Sequence, residues 1–383
     1  MYLKRFRATD FRNIGDCDIE FCSGVNLLIG RNAQGKTNCM EGIYTFSRGR
    51  SFRGCDEKEM IAFGKDGFHL RLDYVDKLGE ESLEYSVMGR ERQRKKNGYR
   101  VKRMSEFIGS FRSVLFYPDN LTLVKGGPEE RRSFMNIAVC QCYPDYVPDY
   151  SVMKQSYDER NSLLRSLSKG DLTEKDQLYA WSYSLAEYSS HVFVRRRDYI
   201  NALAPYVTSL GLEMSSGKER VEVSYKNDIA RKFAQHLPEN ERDGYVNSLS
   251  RAEVSNFYLK MLTENTEKEI KAGTTLYGPL RDDLNLTVNG LPARIFCSQG
   301  QQRSVVLAMK LAEGEVIKEM FNEYPVYLFD DVLSELDSER RKFVIEGMRD
   351  RQIIISTCEG DATQYGAGRV ITVENGAYVG RDS

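Results

Sequence analysis

Two glycines five residues apart, then a lysine and a threonine, carry the first chemistry in this chain: residues 30–37 read GRNAQGKT. Glycine lets backbone N–H groups turn inward and approach phosphate oxygens. Lys36 brings positive charge to the β and γ phosphates, and the Thr37 hydroxyl can ligate Mg²⁺. A helix after the loop points its positive end at the same anion. Gly30, Arg31, Asn32, Ala33, Gln34, Gly35, Lys36, Thr37 and Asn38 are therefore the candidate nucleotide-binding residues. The needed second half is VYLFDD at 326–331, an apolar run that drives two acids to a sheet edge. Asp330 can hold Mg²⁺ through water. Asp331 can orient and polarise an attacking water as a general base. Lys36 and Asp331 are the candidate catalytic residues, and Thr37 and Asp330 the candidate metal residues. An apolar run ending in two acids describes many strand ends; beside a phosphate loop it describes a nucleotide hydrolase.

A third stretch is CSQGQQR at 297–303. Ser298 is placed to N-cap the helix that follows, so Ser298, Gln299, Gly300 and Gln301 form a second anion-facing helix end. In isolation this is an ordinary capped helix. One nucleotide does not need two such ends in one subunit, whereas two copies arranged head to tail would use both. SELD at 334–337 follows the acids directly. Alone, Ser334 reads as another helix cap; beside the acids, the stretch reads as a loop crossing a dimer seam.

These groups need elements to hold them. VNLLI at 25–29 is a short buried strand leading into Gly30. Met40, Ile43, Tyr44 and Ser47 recur at helical spacing, with Gly49 as the stop. Asn97-Gly98 signals a two-residue hairpin. From about Gly126 to Gly273 the texture turns helical. Leu178, Trp181, Leu185, Tyr188 and Val192 step by three and four, residues 254–273 read as another helix, and RVEVSY at 220–225 as a short strand. The C-terminal hundred residues alternate again, with a hairpin at Asn289-Gly290 and buried strands VYLFDD and IIIST at 353–357. The expectation is an α/β head whose mixed sheet is assembled from residues 1–120 and 273–383, interrupted by a helical insertion at 121–272.

Composition bounds the partners. The 383 residues carry a formal net charge of −1, so no global basic field exists and nucleic-acid contact must come from a local patch. The densest basic run is RERQRKKNGYRVKR at 90–103. Its Arg92, Arg94, Lys95, Lys96, Arg100, Lys102 and Arg103 are candidate DNA contacts on a hairpin tip, weighed against a merely solvated face. Arg195–Arg197 is a weaker second patch. Neither has a base-reading layout, so binding should be independent of sequence. The eight cysteines include no C-x-x-C pair, which disfavours zinc and fits reduced thiols. With no apolar leader and no spanning run, a soluble, cytoplasmic protein is expected.

The phosphate loop, SQGQ, LFDD and SELD, in this order around a helical insertion, resemble the ABC-type ATPases of the SMC group. Within it, MYLKRFRATDFRNI, VLFYPDNLTLVKGGPEERRSFMN, YGPLRDDL and SQGQQRSVVLAMKLAE are similar to the pattern of the RecF family of DNA replication and repair proteins. The resemblance runs nearly end to end, with 137–270 contributing least. It implies ATP and Mg²⁺ as cofactors, slow DNA-stimulated hydrolysis, and an ATP-dependent homodimer in which Ser298 reaches the γ-phosphate held by the other copy. It implies binding at single-strand/double-strand junctions of gapped DNA, and work with RecO and RecR to help RecA displace single-strand-binding protein. Three departures stand out. Ala33 replaces a usual glycine, at about 1–2 kcal/mol if the backbone needs φ > 0 there. Leu280 replaces a histidine. FYPDN stands where many ABC ATPases place a glutamine, so Asp119 or Asn120 is the candidate metal sensor. The competing readings fit less well. A transporter motor subunit has a shorter helical subdomain between its motif halves. A small-molecule kinase leaves SQGQ and SELD without work, and a long-armed SMC protein needs sustained heptads.

Overall fold

The computed structural model describes residues 1–170, 176–348, 350–358 and 365–382. In chain order the strands are β1 (Tyr2–Phe11), β2 (Ile14–Glu20), β3 (Val25–Ile29), β4 (Gly67–Asp76), β5 (Gly79–Met88), β6 (Glu91–Lys96), β7 (Tyr99–Arg100), β8 (Ser113–Phe116), β9 (Val221–Lys226), β10 (Asp283–Val288), β11 (Leu291–Pro292), β12 (Val326–Asp330), β13 (Ile353–Thr357), β14 (Arg369–Glu374) and β15 (Ala377–Asp382). They fall in two units. One holds Met1–Thr122, Tyr206–Val221 and Cys297–Ser383; the other holds Leu123–Pro205 and Glu222–Phe296.

The first unit contains two six-stranded sheets. One has the order β15-β14-β3-β13-β12-β8. Its pairs from β14 through β8 are parallel, and only β15 is antiparallel. Strands β12 and β13 are buried at every residue, as parallel strands covered on both faces must be. That is why VYLFD and IIIST are continuous apolar runs. The second sheet, β2-β1-β4-β5-β6-β7, is antiparallel and alternates instead. Leu70, Leu72, Leu83, Tyr85 and Phe6 are buried on one face, and Arg5, Arg7, Arg71 and Glu84 lie on the other. The helix Lys36–Arg48 ends where expected, with Gly49 at φ 77°. Asn97 and Gly98, at φ 51° and 80°, make the predicted hairpin turn between β6 and β7.

The second unit is largely helical, with helices Pro128–Cys142, Tyr146–Ser168, Arg251–Glu264 and Thr266–Ala272 and most of Gln177–Met214. The expected helix over 254–273 is two helices, broken at Asn265, whose side chain bonds back to the Met261 carbonyl oxygen (2.8 Å). The hairpin at Asn289-Gly290 forms as β10–β11. It joins β9 in a three-stranded sheet and groups with this unit, whereas the sequence suggested it for the C-terminal half of the head. Leu163, Leu164, Leu167 and Leu178 form a core cluster against Trp181 and Ile270. Beside it Arg160, fully buried, reaches Glu269 (2.6 Å), Ser182 (2.8 Å) and Thr275 (2.9 Å). Arg196 is likewise buried, and donates to Tyr146, Asn136 and the Pro279 carbonyl oxygen at 2.6–3.0 Å. Among the described residues no helix is long and apolar enough to cross a membrane.

Candidate nucleotide site

Parallel pairing brings three strand ends to one edge. Thr357 stands opposite Ile29, and Ser356 opposite Asp330, so the residues that leave β3, β13 and β12 meet at their carboxyl ends. Ligand crevices of parallel sheets open there. Gly30 takes the chain off β3 past Val373, whose carbonyl oxygen would be 2.2 Å from any added Cβ. Gly35, at φ 119°, turns the loop into the helix Lys36–Arg48. Ala33 has φ 64°, the left-handed conformation its substitution for glycine made costly to expect. No acceptor among the described residues takes the amide hydrogens of residues 33–37, and the helix has no side-chain cap. Those donors, at the positive end of a helix, fit phosphate oxygens.

The loop is braced from elements far away in sequence. Gln34 accepts from the backbone N–H of Asn375 (2.6 Å) and Gly376 (2.9 Å), in the β14–β15 turn. The Tyr378 hydroxyl donates to the Gly35 carbonyl oxygen (2.9 Å), and Asn38 donates to Asn13 (2.7 Å). Lys36 is buried, and its Nζ donates to the carbonyl oxygens of Gly30 (2.6 Å) and Arg31 (3.0 Å). Cys358 Sγ lies 3.4 Å from the same Nζ and bonds Asn32 Oδ1 at 2.8 Å. Arg31, Asn32 and Ala33 remain exposed at the mouth.

Thr37 Oγ1 donates to Asp330 Oδ1 at 3.0 Å, and Ser356 Oγ to the same oxygen at 2.6 Å. Asp330 is 4% exposed, and burial pushes its carboxyl above the usual range despite both hydroxyls. A hydroxyl and a carboxylate with no third acid, Cys or His cluster among the described residues suit Mg²⁺, which takes few protein ligands and completes its shell with water and substrate phosphates. When bound, the ion would neutralise phosphate charge. Asp331 follows at φ 55°, a strained conformation for a non-glycine residue, held by its N–H on Ser356 Oγ (3.1 Å).

Ser298 caps the helix Gln299–Phe321 as expected. Its Oγ accepts from Gln301 N (3.3 Å), and Gln301 Oε1 accepts from Ser298 N (3.0 Å). Ser298, Gln299 and Gly300 are exposed. A Cβ on Gly300 would meet only Ser298 Oγ, at 3.9 Å, so nothing in this unit demands glycine there. Arg303 ties the same helix to Glu335 (3.0 Å), and Arg340 ties it through Ser304 (2.9 Å), joining it to the segment after Asp331. Ser334 does not cap a helix: it donates to the Asp331 carbonyl oxygen (3.0 Å), and Asp337 caps Ser338–Gly347 instead. Asn120 spends its Oδ1 on Tyr117 N within its own turn, and Asp119 is exposed.

On the basic hairpin, four of the seven candidate DNA contacts are paired with carboxylates. Arg92 and Arg94 both pair with Glu57, Lys95 with Glu84 (3.6 Å) and Lys96 with Glu81 (3.1 Å). Arg100, Lys102 and Arg103 are exposed and make no ion pair with the described residues. Sequence reasoning missed Ser356, Cys358, Tyr378 and Asn13; the Ser-Thr pair closing IIIST was the one usable signal.

Comparison with known proteins decides the family. The model of the RecF/RecN/SMC N terminal domain matches residues 2–375. The DNA replication and repair protein RecF of Acetivibrio thermocellus is 34% identical over 382 residues, covering 98% of this chain and 99% of that protein. The chain belongs to the RecF family. Its Bacillus subtilis member is 32% identical over 383 residues, covering 99% and 100% of the two chains. A solved structure of the recombination mediator protein RecF-ATPrS in the RecFOR pathway matches with a TM-score of 0.88 at 29% identity, over 99% of this chain and 98% of that one. An SMC head bound to the winged-helix domain of ScpA, 16% identical, shares the fold with a TM-score of 0.56 over 100% of this chain and 98% of that one. The fold is thus a RecF/SMC-type ATPase head.

Proposed function

We propose that this chain is an ATP-dependent DNA-binding protein of replication and recombinational repair. It closes as a homodimer over ATP at gapped DNA and hydrolyses ATP slowly to time release. The observation that carries this is the loop 30–37, with buried Lys36 and the amides of residues 33–37 that no described residue accepts from, beside Thr37 and Asp330. Lys36 holds the β and γ phosphates, Thr37 and Asp330 supply oxygens for Mg²⁺, and Asp331 orients the attacking water and takes its proton. A second copy's Ser298 and Gly300 approach the γ-phosphate; the open space at Gly300 supports such an approach. RecR and RecO are the proposed protein partners, RecA an indirect one, and the cytoplasm the proposed location.

The test is ATP hydrolysis with and without gapped duplex. Stimulation by DNA is expected, and loss of nucleotide binding in Lys36→Ala, followed with a fluorescent ATP analogue. Hydrolysis indifferent to DNA would defeat the reading in favour of a motor that answers to some other partner.

A further inference from the structure

One row of side chains crosses the polar face of the antiparallel sheet. Register sets Asp18, Arg7, Arg71, Glu84, Lys95 and Arg100 side by side on β2, β1, β4, β5, β6 and β7. Charges match along most of it: Arg7 pairs with the neighbouring Asp73, Arg71 with Asp73 (3.0 Å) and Glu84 (3.3 Å), and Lys95 with Glu84. The row ends with Arg100 on β7, the edge of the sheet, and Lys102 and Arg103 add two more exposed cations ahead of the exposed Glu106. Apart from the exposed Arg90, the cations of the run 90–103 without an ion pair among the described residues therefore lie past the hairpin turn. Next to Arg100 in the chain, Tyr99 is 81% exposed on a two-residue edge strand held by the left-handed Asn97-Gly98 turn; paired with Lys96, it lies on the opposite face from Arg100.

An exposed aromatic ring at a sheet edge, with unpaired cations next to it in the chain, is the chemistry that binds single-stranded nucleic acid: as the strand crosses the edge, a base stacks on the ring and cations take phosphates. A duplex keeps its bases stacked internally and offers the ring nothing. We infer that Tyr99, Arg100, Lys102 and Arg103 form a contact for single-stranded DNA, one base stacking on Tyr99. The inference rests on the DNA-binding reading above and replaces Arg92, Arg94, Lys95 and Lys96 as the contact.

Fluorescence anisotropy with oligo(dT) and a blunt duplex of equal length, each about thirty nucleotides long, tests it. Tyr99→Ala should weaken oligo(dT) binding roughly five- to hundredfold, the range of one lost stack, and duplex binding less than about twofold. Tyr99→Trp should restore it. The pair Arg100→Ala and Lys102→Ala should lower the salt slope on oligo(dT) by about 1.4. Unchanged melting temperature and nucleotide binding show that the variants fold. If the parent binds oligo(dT) and Tyr99→Ala leaves the single-strand to duplex ratio unmoved, the contact is wrong while the DNA reading stands. A parent that binds neither probe removes both.

Discussion

Two residues at the site sit where their own chemistry disfavours them, one by backbone conformation and one by burial. Ala33 keeps φ 64° although its Cβ disfavours it. Ala33→Gly relieves about 1–2 kcal/mol of strain and frees unfolded-chain entropy worth about 0.4–1 kcal/mol. A net gain of about 0 to 1.6 kcal/mol is expected, read as a small rise in melting temperature with nucleotide binding kept. The Asp330 carboxyl is buried, and burial raises its pKa above the ordinary 3.8. The folded chain therefore binds this proton more tightly than the unfolded chain, so stability is lost as pH rises from the ordinary value through the raised one. Asp330→Asn should unfold at higher urea than the parent at neutral pH, with the difference vanishing below the ordinary value, and should not hydrolyse ATP. Equal urea midpoints at neutral pH would show that Asp330 carries no such penalty.

At the scale of elements, the capped helix Gln299–Phe321 separates stability from closure. Ser298 Oγ accepts from Gln301 N, which leaves its hydroxyl hydrogen to donate outward. Aspartate caps as well as serine but presents charge to a phosphate. Ser298→Asp should thus melt like the parent yet fail to dimerise in ATP. Ser298→Ala should also lose about 1 kcal/mol of stability. Calorimetry and sedimentation read the two effects apart. In the helical unit Arg160 and Glu269 are both fully buried, joined at 2.6 Å. Arg160→Ala strands a buried carboxylate and should cost roughly 3–5 kcal/mol in chemical denaturation. The sequence made the loop 30–37, the strands β3, β12 and β13 and the Ser298 cap legible, because each is a local pattern of a few residues. It hid the break at Asn265, where a helical period continues on both sides of one side-chain bond. It also hid the neutralised cations of β6, because Glu57, Glu81 and Glu84 come from a different strand and turn.

At the scale of the molecule, dimerisation should follow ATP. With Asp331→Asn to stop hydrolysis, sedimentation in ATP should show a dimer and sedimentation without nucleotide less of it; a monomer in both would sink the proposed closure. The site's remaining parts were illegible for a topological reason. Cys358 and Tyr378 lie more than three hundred residues from the loop they brace, and nothing local announces which strands will be neighbours. The order β14-β3-β13-β12-β8 interleaves segments from both sides of the insertion.

That interleaving has a kinetic consequence. β3 and its phosphate loop are translated before the helical unit, whereas its pairing partners β13 and β14 are translated after it. Until they emerge, a largely apolar strand waits without neighbours, while the helical unit can already collapse on its own leucines. Nucleotide competence therefore waits for β13 and β14, and a ribosome stalled before Ile353 holds a nascent polypeptide whose phosphate loop still lacks its neighbouring strands.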